Sequence, residues 1–97
     1  MYRLVETCGA CPEQYDVFNE GNVQVGYIRL RHGTLRVDCP DCGGETVYTA
    51  NPKGDGRFLD NERDFYLKHC LKAIKDWEEK VKSAPDISYT IEPDPRI

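Results

Sequence analysis

Apolar and polar side chains alternate with a period of two over the first half of the chain. Between positions 23 and 31, Val25, Tyr27, Arg29 and Arg31 fall on one side of the pattern and Ile28 and Leu30 on the other, as in a strand with one covered face. Positions 34–38 repeat this, with Leu35 and Val37 alternating with Thr34 and Arg36. Shorter β-prone runs occupy 2–7, 14–19 and 45–50. The segments between them suit reversals. Glu20-Gly21-Asn22 reads as a hairpin turn, and His32-Gly33 supplies a two-residue turn in which the glycine takes positive φ. Cys8-Gly9-Ala10-Cys11-Pro12 cannot continue a ladder, because proline has no donor, and the run from Cys39 to Gly44 links the last two strands. The pattern predicts a five-stranded antiparallel meander.

Beyond the loop at 51–56 the period becomes helical. Tyr66, Leu67, Cys70, Leu71, Ile74, Trp77 and Val81 form one apolar stripe, with Lys68, Lys72, Lys75, Asp76, Glu79 and Lys80 facing away. A helix over about 61–82 follows, with Asp60 or Asn61 as the N-cap and Glu62 and Asp64 in the first turn. Its stripe is expected to cover one face of the sheet, which gives an α+β fold in a single domain over 1–82. The tail over 83–97 places Pro85, Pro93 and Pro95 around a β-prone piece at 87–91, which either adds an edge strand or stays loose. No internal repeat or low-complexity tract is visible.

Composition agrees with a folded domain. The chain has 97 residues, 39% hydrophobic and 31% charged, enough for one core and too few for two. The first residues pass directly into a strand pattern without an apolar leader, and no run reaches transmembrane length, so a cytoplasmic protein is expected. There the five cysteines stay reduced unless they bind metal or carry out redox chemistry. A net charge of −4 argues against a protein that coats a phosphate backbone. The charge is unevenly spread: up to Pro52 the only basic side chains are Arg3, Arg29, Arg31 and Arg36, and all lysines follow.

The sharpest chemical motif is Cys8-x-x-Cys11 with Cys39-x-x-Cys42. Two such pairs supply four thiolates for tetrahedral zinc, and the proline and glycines of Cys39-Pro40-Asp41-Cys42-Gly43 suit a tight knuckle. These residues resemble a zinc ribbon, which would imply a structural metal held by Cys8, Cys11, Cys39 and Cys42 in a module that binds nucleic acid or protein. The strand order opposes this. An odd number of strands separates Cys11 from Cys39, which puts them on the order of 15 Å apart at about 3.3 Å per residue. Zinc therefore requires His32-Gly33 to be a bulge, or one segment not to be a strand; otherwise the thiols lie reduced in turns and core. Cys8-Gly9-Ala10-Cys11 also resembles a thioredoxin-like redox pair, but residues that read as strand follow it where that chemistry needs a helix. Cys70 sits on the apolar stripe as a core residue, and His32 and His69 pair with no nucleophile.

Asp55, Gly56, Phe58 and Glu62 fall at positions of an EF-hand calcium loop. Lys53 stands where a ligand oxygen belongs, however, and a strand precedes the loop. Tyr27, Arg29, Arg31 and Arg36 are the candidate partner-binding residues, because arginines beside an aromatic can grip anions or stack on bases. As outward positions of their strands they are more simply a solvated face opposite the helix. The runs at 11–18 and 25–33 resemble small uncharacterised proteins of phage and prophage genomes, which would imply an accessory or inhibitory binder such as an anti-defence protein. No paired carboxylates, phosphate loop or catalytic serine setting is visible, which weighs against an enzyme. The expected function is non-enzymatic protein binding, possible homodimerisation included. The alternatives are a zinc-ribbon-like nucleic-acid binder using Arg29, Arg31 and Arg36, and a thiol oxidoreductase built on Cys8 and Cys11.

Overall fold

The computed structural model describes residues 1–7, 12–82 and 90–94. It contains five strands, β1 (Arg3–Glu6), β2 (Glu13–Phe18), β3 (Gln24–Arg31), β4 (Thr34–Cys39) and β5 (Glu45–Ala50), followed by one helix, α1 (Asp60–Lys82). All neighbours are antiparallel in the order β1-β2-β3-β4-β5, the meander that the alternation predicts. His32 and Gly33 both take positive φ, 52° and 74°, so they form a tight two-residue hairpin and not a bulge. At the β2–β3 turn, the Asn19 side chain accepts the Val23 N–H at 3.1 Å, while Asn22 itself takes a φ of 61°. The Cys39–Pro40 peptide bond is cis.

One face of the sheet meets α1. A Cβ on Gly26 would stand 2.5 Å from Ile74 Cδ1, so the helix lies directly on β3 and no larger side chain fits between them. Ile28, Leu30, Leu35 and Val37 continue this face, and Cys70 and Ile74 close the core from the helix side. Tyr66, Leu67, Leu71 and Trp77 pack along its margin, whereas Val81, at the end of the sequence stripe, is 54% exposed. Val25 departs from the expected alternation. The β2–β3 register slips where Val17 pairs with Gly26 and Phe18 with Gln24, and the extra residue turns Val25 into the core.

The helix begins one residue earlier than the sequence suggests, and neither Asp60 nor Asn61 caps it. Leu59 is the N-cap, since its carbonyl accepts the N–H groups of Glu62 and Arg63. Glu62 reaches back to the Leu59 N–H at 2.8 Å and also accepts from Lys53 and Gly54, at 2.9 and 2.8 Å. The carboxylate that the EF-hand spacing would assign to calcium is therefore occupied by three backbone amides. A side chain on Gly54 would come 1.9 Å from the Arg57 carbonyl, so only glycine fits there. Of the β-prone tail piece, Thr90 and Ile91 are described and lie outside any strand; the remainder falls outside the described residues.

Candidate partner-binding face

With Gly26, Ile28 and Leu30 turned toward α1, the intervening residues of β3 look away from it. Tyr27, Arg29, Arg31 and Arg36 thus share the open face, and the strand register decides what each one meets. Arg29 stands directly opposite Arg36, and Arg31 opposite Thr34. Residues so paired have Cβ atoms about 5 Å apart, a distance at which like charges repel. On its other flank Arg29 faces Gln14 of β2.

Asp38 is the acid that reaches this cluster. Its side chain is buried and accepts the Thr46 hydroxyl at 2.8 Å and the Gly43 N–H at 3.2 Å. Arg36 Nε lies 3.3 Å from the same carboxylate but makes no hydrogen bond, although it is shielded from solvent. Among the described residues no carboxylate pairs with Arg29 or Arg31. Tyr27 belongs to this face but is only 7% exposed, and its hydroxyl donates to Gln14 Oε1 at 3.2 Å. Burial pushes its phenol above the ordinary value, against the pull of Arg29 and Arg36. The Gly43–Asp38 bond holds the 40–44 turn to the carboxylate that stands opposite Tyr27 in the register. The other ring on this face, Phe18, has the Arg3 guanidinium 4.6 Å above its centroid.

A second polar cluster, which no motif in the sequence marks, centres on Glu13. Glu13 is fully buried, and its carboxylate accepts from Arg63 Nε at 2.9 Å, from the Phe58 N–H at 3.0 Å and from the Tyr15 hydroxyl. Desolvation alone would raise its pKa, yet the bonds from Arg63, Tyr15 and Phe58 together hold it below the usual carboxylate range. The Glu13 N–H also donates to the Gly56 carbonyl at 2.6 Å. This cluster ties the start of β2 to the loop that leads into α1. The one hint in the sequence is the parity of Glu13 with Tyr15 and Val17, which puts an acid on the covered face.

Of the four cysteines that the zinc-ribbon resemblance selects, Cys8 and Cys11 lie outside the described residues. Their described neighbours Thr7 and Gln14 are bonded to each other, and Glu13 pairs with Leu30, whereas Cys39 pairs with Glu45 at the opposite end of β4. Cys39 is buried on the helix side, where burial, then Asp38, Glu45 and Glu78, push its thiol up to about 12. Cys42 is exposed, in the turn whose Gly43 N–H bonds Asp38. Among the described residues no group of three or more metal-ligating side chains is assembled. Burial pushes the Cys70 thiol, in the core, up to about 12. No helix among the described residues is long and apolar enough to cross a membrane.

Comparison with protein-family models, curated proteins and solved structures gives no match. The class that can be stated is that of the fold: an antiparallel sheet with one face under a helix and the other open.

Proposed function

We propose that this chain is a non-enzymatic binding module whose open sheet face docks on an acidic protein surface through Arg29, Arg31 and Arg36. The observation that carries the reading is the cross-strand pairing of Arg29 with Arg36, with Arg31 beside it and, among the described residues, Asp38 as the carboxylate within ion-pair distance of the three. Like charges held opposite one another cost stability, and an acidic partner removes that cost on binding. Arginine suits the task, because its planar fork takes a carboxylate with two hydrogen bonds and is weakly hydrated. Tyr27 supports this face from beneath and is too covered to be a contact.

The same details favour protein over nucleic acid. Single-stranded nucleic acid binds best where bases find open rings. Here Tyr27 is buried and Phe18 is occupied by Arg3, while the whole chain carries a net charge of −4. An accessory or inhibitory role of the anti-defence kind accords with this, since an inhibitor acts by occupying a surface and needs no catalytic group. Chromatography at low salt on polyglutamate and on heparin tests the reading. The wild-type protein is expected to be retained on polyglutamate only, and the R29Q/R31Q/R36Q variant to pass through. Retention on heparin alone would overturn it in favour of a nucleic-acid binder.

A further inference from the structure

We infer that the cleft at the His32 end of the open face is a carboxylate-binding subsite that takes an aspartate or glutamate side chain of the acidic partner. The inference rests on the open-face reading and narrows it to one place. The cleft has a volume of about 520 Å³, and Gln14, Arg29, Arg31, His32 and Asp55 line it. Arg29 and Arg31 are alternate residues of β3, so their Cα atoms lie roughly 6 to 7 Å apart on one face, close enough for both guanidiniums to converge on one anion. Gln14 is already oriented for this. Its oxygen accepts from Tyr27, which leaves its NH2 donors for an incoming acceptor. His32 is held at the rim by the hairpin, whose positive φ at both turn residues fixes its position.

Charge selects the ligand class. Two guanidiniums against the single Asp55 carboxylate leave one net positive charge in the cleft, which matches an isolated carboxylate. A phosphodiester chain would carry further charges past Asp55 and would find no open ring on which to stack. The subsite is thus selective for an acidic peptide segment.

The test uses the full chain, titrated with an N-acetylated, C-amidated oligoglutamate peptide and followed by NMR at the arginine Nε–H and glutamine side-chain signals. An oligoglutamine peptide and single-stranded oligothymidylate serve as comparisons. Saturable shifts are expected at Arg29, Arg31 and Gln14 with oligoglutamate and not with oligoglutamine. R29Q/R31Q, with its core amide signals unchanged, should weaken binding roughly tenfold or more, and D55N should tighten it. Binding lost in R36Q but kept in R29Q/R31Q would overturn the subsite and leave the open-face reading standing. Shifts that map away from the open face, or no saturation at all, would overturn both. Tighter binding of oligothymidylate would overturn the choice of partner, and weaker binding by D55N would overturn the role of charge in the cleft.

Discussion

Glu13 is the residue on which the junction between sheet and helix turns. A buried carboxylate is costly unless every oxygen is satisfied, and here Arg63, Tyr15 and the Phe58 N–H satisfy both. E13Q removes the charge and leaves Arg63 facing a neutral group. The expected loss is about 2 kcal/mol, less than for a fully enclosed pair because Arg63 remains 29% exposed. The pH dependence follows from the depressed pKa of Glu13. Its contribution is complete above the unfolded value near 4.5 and is lost as the pH falls through the lower folded value. Urea midpoints measured from about pH 7 to about pH 3 should therefore fall more steeply for wild type than for E13Q. Parallel curves would mean that Glu13 is not ionised in the fold. Tyr27 shows at the same scale where sequence reasoning stops. Its parity put it on the open face correctly, but its burial there, and the bond between Asp38 opposite it and Gly43 of the following turn, are features that no periodicity encodes.

Among the elements, the five strands and the helix were legible because their signals are local: period-two alternation, glycine-bearing turns and a stripe at helical spacing. The helix start was not. Asp60 and Asn61 are the better capping residues by type, but the buried Phe58 and its bond to Glu13 fix where the loop ends, so Leu59 falls at the cap. Leu59 offers no side-chain acceptor and is 46% exposed. L59S should accordingly stabilise the protein by about 1 kcal/mol, read as a higher urea midpoint. The contact between sheet and helix gives the opposite case. G26A drives a methyl group into Ile74 and should cost about 1–3 kcal/mol, of which I74V recovers part by removing the obstructing Cδ1. A double-mutant cycle reads that coupling, and simple additivity of the two changes would contradict the close approach. Val25 escaped prediction for a related reason, since a one-residue slip in register reverses the phase of everything beyond it.

At the scale of the whole molecule, the meander places the ends of the CxxC spacing on an odd number of strands. The type of turn at His32-Gly33 decides that count in favour of a hairpin. The sequence held the arginines of the open face, but their meaning came from register: only the pairing of β3 with β4 sets Arg29 against Arg36. The most direct measurement compares two variants that lose the same charge, R29Q/R31Q/R36Q on the open face and K68Q/K72Q/K75Q on the exposed side of α1, for elution from polyglutamate. The lysine variant should elute near the salt concentration of wild type and the arginine variant in the wash. Equal losses in both would mean that bulk charge and not the open face drives binding, which would contradict the account.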